Sequence, residues 1–158
     1  MKANKNLAKI LSFSLLLMAL IFVSCKDDDK EPENVDTNEI VGKWQLTAIN
    51  SQATGTSVTE LPSIKLLAPC IFDLKFTFTA NNRVTLSDCE AATLVINSFI
   101  PVSAETQWKV QNNSLTLTNG TTSQSLPLTQ SKDAMTLTVN TNTGPGPAVN
   151  ALLVFKRI

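Results

Sequence analysis

Three cysteines carry the most definite chemistry in this 158-residue chain, and they stand in two different settings. Cys25 ends an apolar run, whereas Cys70 and Cys89 lie within a domain-sized stretch of alternating polar and apolar residues. No histidine occurs anywhere. That removes the side chain that most often serves as a general base near neutral pH, and two cysteines alone make a poor zinc site. The carboxylates left for acid–base work are Glu60, Asp73, Asp88, Glu90, Glu105 and Asp133, scattered over expected strands and turns. Paired carboxylates act only at defined separations, and this spacing establishes none. Asp73 is expected on the outer face of a strand, paired with Lys75. The expectation is a protein that binds and does not catalyse, with no cofactor and no metal.

Cys25 is set up by what precedes it. Lys2, Lys5 and Lys9 lead into an apolar run from Ile10 to Val23, broken only by Ser12 and Ser14. A basic start and an apolar stretch are the pattern of a secretory signal. The run is shorter than the roughly 20 residues that a spanning helix needs. The boundary Phe22-Val23-Ser24-Cys25 resembles a bacterial lipobox, with phenylalanine where leucine is usual. The resemblance implies that residues 1–24 are a signal peptide, and that the Cys25 thiol is acylated and becomes the first mature residue. Acyl chains of the palmitate type contribute about 0.8 kcal/mol per buried CH2, so several of them hold a domain on a membrane.

Residues 25–39 differ sharply in composition. Between Lys26 and Glu39, seven acidic residues face only Lys26 and Lys30. Such a segment has no apolar surface to bury and is expected to be a disordered, solvated linker. A lysine and an acidic run just behind the cysteine resemble the surface-export signal of Bacteroidetes lipoproteins. That resemblance implies an outer-membrane protein, lipid-anchored and facing the extracellular medium.

Residues 40–158 have the length of one ordinary domain. Eight basic and six acidic residues are spread over them without a basic cluster, which argues against a nucleic-acid partner. Their dominant signal is period-2 alternation, the mark of half-buried strands. Gly42, Trp44, Leu46 and Ala48 share one face of the first strand. Phe72, Leu74, Phe76 and Phe78 share one face of the stretch Ile71 to Thr79. Further strands turn inward Val84 and Leu86, Trp108 and Val110, Leu115 and Leu117, Leu126 and Leu128, then Met135, Leu137 and Val139. In the last strand Leu153 and Phe155 share a face, and Leu152 and Val154 make the other face apolar too.

Asn81-Asn82, Asn112-Asn113 and Asn119-Gly120 supply turn residues that accept the left-handed conformation of tight hairpins. Glu60 to Pro69 is expected to hold one or two helical turns. Ala91 to Val102, apolar without clear alternation, reads as an extra strand or as a loop folded over an opening. Pro127 in mid-strand points to an edge or a bulge, and so to an imperfectly closed barrel. The tally is eight strands joined by short turns, which favours an antiparallel up-and-down barrel or a meander sandwich. Export places Cys70 and Cys89 in an oxidising compartment at the base of one hairpin, where a disulfide is the default. Closing that loop stabilises the fold by about 3 kcal/mol.

In order along the chain, Gly42-Lys43-Trp44, Cys70 to Asp73, Phe76-x-Phe78, Trp108-x-Val110, Asn113-x-Leu115-x-Leu117 and Phe155-Lys156-Arg157 resemble the lipocalin-like domains of Bacteroidetes lipoproteins. The resemblance implies an all-β, up-and-down β-barrel in which Arg157 packs over Trp44 as a structural lock. It also implies a binding module for a small apolar ligand. An eight-stranded barrel is wide enough either to be filled by side chains or to hold one such molecule. The candidate ligand-lining residues are Leu66, Leu67, Phe72, Phe76, Leu94, Ile96, Phe99 and Trp108, with the apolar stretches Ile64 to Ala68 and Leu94 to Ile100 lining or gating the mouth. The competing expectation is that the inward aromatics form a packed core. The chain would then be a protein- or glycan-interaction subunit at the cell surface.

Overall fold

The computed structural model describes residues 38–52, 61–142 and 144–158; the expected signal peptide, Cys25 and most of the expected linker lie outside them. Eight strands stand among the described residues: β1 (Gly42–Ser51), β2 (Lys75–Phe78), β3 (Val84–Ser87), β4 (Gln107–Gln111), β5 (Ser114–Asn119), β6 (Thr122–Gln130), β7 (Ala134–Asn140) and β8 (Asn150–Arg157). They form one sheet in the order β3-β2-β1-β8-β7-β6-β5-β4, and every strand pair is antiparallel. Pairing of first with last strand and of neighbours elsewhere makes an up-and-down barrel.

Closure between β3 and β4 is thin. The amide of Val84 donates to Thr106 O at 3.2 Å and that of Trp108 to Asn82 O at 2.8 Å, about a single bridge between Arg83 and Gln107. A second interruption follows from Pro127. β6 pairs with β5 from Thr122 to Pro127, but with β7 only over Leu128 to Gln130. Proline has no N–H for a ladder on both sides, so the β6–β7 ladder stops beside it. The barrel is nearly closed.

Local chemistry explains the turns. Asn82, Asn112, Asn113 and Gly120 have φ of 61°, 50°, 56° and 58°, which only asparagine and glycine adopt cheaply. Three connections, β2–β3, β4–β5 and β6–β7, cluster with the start of β1 at one end of the barrel, here the turn end. The other four lie at the opposite end. Two of those four carry helices, α1 (Leu61–Leu67) and α2 (Glu90–Asn97), so this is the helical end.

Three local expectations are corrected. The stretch Ile71 to Thr79 is not one strand: Ile71–Asp73 is a 3-10 turn, and the strand starts only at Lys75. Gln45 Nε2 donates to Phe72 O at 2.8 Å and the Asp73 amide to Cys70 O at 2.8 Å. The backbone at Phe72 therefore serves a turn, and alternation holds from Leu74 onward. Of the stretch Ala91 to Val102, the part up to Asn97 is a helix and only Ser98 to Val102 is loop. Ala92 and Ile96 are the helix's buried residues, four apart, and Cys89 caps it with Sγ accepting from the Ala92 amide at 3.4 Å. Thr93, Val95 and Ile96 are β-branched and hid that period. Finally, a bulge between Leu46 and Ala48 shifts the register, so Ile49 turns inward in place of Ala48.

The barrel interior is packed. Trp44, Phe76, Phe78, Trp108, Phe155, Leu115 and Met135 are all at most 2 % exposed. Phe76 meets Phe155 edge-on with ring centroids 5.0 Å apart, and Phe78 meets Trp108 likewise at 5.9 Å. Such pairs stabilise beyond the area they bury.

The turn end is fastened by the last strand. The Arg157 guanidinium lies 4.2 Å from the Trp44 ring centre, the lock that the sequence implied. Arg157 also donates to Val41 O at 2.8 Å, and to the carbonyls of Glu39 and Lys132. Trp44 Nε1 donates to Ile40 O at 2.7 Å. Gly42 sits at φ 141°, and a Cβ there would run into Arg157. Both facts require glycine.

Candidate ligand-binding end

The helical end is where side chains leave space. Ile49 of β1, Ile64 of α1, Val95 and Ile96 of α2, and Phe99 and Ile100 just after it surround a crevice. Val139 and Thr141 at the end of β7, with Ala151 and Leu153 of β8, complete it. All but Thr141 are apolar. The cavity is about 20 Å³, close to the minimum that admits a single water. A ligand of several carbons therefore enters only if α1 or α2 moves outward.

A disulfide joins the segments that carry those helices. Cys70 and Cys89 are bonded, with Cα atoms 5.8 Å apart. Cys70 follows α1 and leads into the 3-10 turn, while Cys89 caps α2. The bond thus ties together the two segments that cover the crevice. Each helix has 8 residues or fewer, too short to be stable without such attachment.

Beside the crevice, Pro101, Leu117, Asn119, Thr122 and Gln124 line a cleft of about 120 Å³. Gln124 faces inward opposite Leu117. Its Nε2 donates to Phe99 O at 2.9 Å, while its Oε1 is buried with no hydrogen-bond partner among the described residues. A buried acceptor left in that state costs about 1–3 kcal/mol. This amide fixes the position of Phe99, and so one wall of the crevice.

The eight residues named from the sequence separate into four groups. Ile96 and Phe99 line the crevice. Leu66, Leu67 and Leu94 are 84 %, 70 % and 70 % exposed on the two helices. Phe76 and Trp108 belong to the packed barrel, at 1 % and 2 % exposure. Phe72 is half-buried on the 3-10 turn, with the Lys65 ammonium 5.1 Å from its ring centre. Sequence reasoning missed Ile49, Val139, Ala151 and Gln124. The available signal was positional: each lies near a strand terminus whose connection runs over the same end.

Charged groups take no part in the crevice. Lys75 pairs with Asp88 at 3.4 Å, and not with Asp73 as the sequence led one to expect. Its strand partner Ser87 places Asp88 there. The Ser87 hydroxyl, donating to the carboxylate, holds Asp88 below the ordinary aspartate pKa; slight burial opposes this and Lys75 assists. Glu105 is engaged by Arg83 at 2.9 Å. Among the described residues no three histidine, cysteine or carboxylate side chains group as metal ligands would. What the end offers chemically is apolar contact and one orphan amide oxygen.

No curated protein and no solved structure matches the chain. The match that does occur agrees with the up-and-down order of the strands: the chain belongs to the lipocalin-like domain family, which matches it over residues 40–143.

Proposed function

We propose that this protein is a lipid-anchored binding module of the outer membrane, facing the extracellular medium, which takes a small apolar ligand at the helical end and catalyses no reaction. The family is typically a binding fold. The observation that carries the reading is the crevice beneath α1 and α2, walled by apolar side chains and covered by short helices. Opening it exposes apolar surface to the ligand, and burial of apolar area drives uptake at about 25 cal/mol per Å². The anchor and the surface location rest on the sequence pattern around Cys25.

Native mass spectrometry of the mature domain purified without its lipid tests the ligand. A co-purified small molecule supports the reading. A bare mass, with no response to fatty acids or apolar dyes, contradicts it. Cys25→Ser should release the protein from membranes, and retention there would refute the anchor.

A second reading is supported by the packed interior. Trp44, Phe76, Phe78, Trp108 and Phe155 fill the space in which a hollow barrel would hold its ligand. On that account the domain is a protein- or glycan-interaction subunit at the cell surface, and its crevice is a packing defect.

A further inference from the structure

We infer that the helical end seats on the lipid surface to which the chain is anchored, with Leu66, Leu67, Leu94 and Val149 entering it. The inference rests on the anchor proposed above and adds the surface that the helices face.

Five large apolar side chains are exposed among the described residues, and four of them are at this end. Leu66, Leu67 and Leu94 are on α1 and α2; Val149, 47 % exposed, precedes β8 beside the crevice residue Ala151. The fifth, Ile158, ends the chain at the turn end. Such an asymmetry needs an occupant. Four side chains fall far short of the about 20–30 residues a side that a stable protein interface commits. A lipid surface asks for less when the domain is tethered to it. Short tethers hold a module at about millimolar effective concentration, so a contact too weak to capture a free partner stays occupied.

The linker length fits this. β1 runs ten residues from the turn end to the helical end, about 33 Å along the strand, which bounds the height between the ends from above because barrel strands are tilted. The chain joins the barrel at the turn end, so the linker must travel that height before the helices can touch the bilayer. The 12 residues from Lys26 to Thr37, before Asn38 and Glu39 are bound at the turn end, reach about 40–43 Å when extended. The reach exceeds the height by a modest margin. In this seat the helices that cover the crevice lie at the acyl boundary, and an apolar ligand passes to the crevice from the membrane without crossing water.

The test uses the mature chain from Cys25, its Cys25 thiol coupled to a maleimide lipid in bicelles of phosphatidylcholine and phosphatidylglycerol. A gadolinium-chelate lipid in the same bicelles broadens the amide signals that approach the surface. Signals of Leu66, Leu67, Leu94 and Val149 should broaden several-fold more than those of Asn112 and Asp133. Deleting Asp27 to Asn34 leaves four free linker residues, which reach about 13–14 Å; that deletion should abolish the difference while coupling persists. The double substitution Leu66→Ser, Leu94→Ser should do the same with the linker intact. Uniform broadening, or broadening greatest at Asn112 and Asp133, overturns the inference, as does a pattern unchanged by the deletion. Because the anchor is supplied chemically, this result is independent of whether Cys25→Ser releases the protein in cells.

Discussion

The two ends of the barrel solve different problems with the same strands. At the turn end, connections are short, asparagines hold two of the three at positive φ, and Arg157 fastens three carbonyls and an indole. At the helical end, three of the four connections are long, two short helices replace hairpins, and leucines face outward. The first arrangement leaves no slack. The second keeps a crevice of about 20 Å³ under segments attached by one disulfide, apolar packing and the side-chain hydrogen bonds of Gln45 and Gln124. Stability is concentrated where the chain joins the barrel, and adaptability where a ligand would enter. Local opening at low free energy is what binding elements require.

The largest effect should come from the turn end. Trp44→Ala removes a fully buried indole, its hydrogen bond to Ile40 and its stacking on Arg157. Loss of about 3–5 kcal/mol is expected, read as a fall in the denaturation midpoint. A loss below about 1 kcal/mol, typical of a surface substitution, would break the contrast between the ends.

Next comes the clasp. The double substitution Cys70→Ser, Cys89→Ser should cost about 3 kcal/mol for a loop of this size. Hydrogen exchange should speed up over residues 61–74 and 90–97 before it does at the turn end. Equal acceleration at both ends would show that the bond serves the whole barrel and not its helices.

How much of this was legible is best argued from particular residues. Strict alternation from Trp44 through Phe155 identified the inward faces, because each strand has one dry side and one wet side. Ala48 failed since a bulge is one extra residue that no alternation reveals. Phe72 failed because the Gln45 side chain captures its carbonyl, a contact 27 residues away in sequence. α2 failed since β-branched residues obscured a four-residue spacing whose decisive support, the Cys89 cap, is tertiary. The candidate site was legible as two apolar stretches, but not as a place: the strand-end residues joining them are adjacent only once the barrel closes.

Smaller effects sharpen the comparison. Leu66→Ser and Leu94→Ser, at exposed positions of the two helices, should each change stability of the untethered domain by no more than about 0.5 kcal/mol. A larger loss would mean that these leucines support the fold.

The smallest effect is electrostatic. Asp88 has its folded pKa lowered, first by the Ser87 hydroxyl. Its contribution to stability is therefore present above the unfolded-state pKa and disappears as pH falls through the folded value. Ser87→Ala should raise the Asp88 pKa towards the ordinary aspartate value in an NMR titration. An unchanged titration would assign the shift to Lys75.

The central claim is that binding belongs to the helical end and not to the barrel interior. Its most direct test is a methyl NMR titration of the lipid-free domain with decanol. Saturable shifts at Ile64, Ile96, Val139 and Leu153, with Leu46, Leu115 and Met135 unmoved, are the predicted result. Saturable shifts at Leu115 and Met135, or no saturable shift at any methyl, would contradict it.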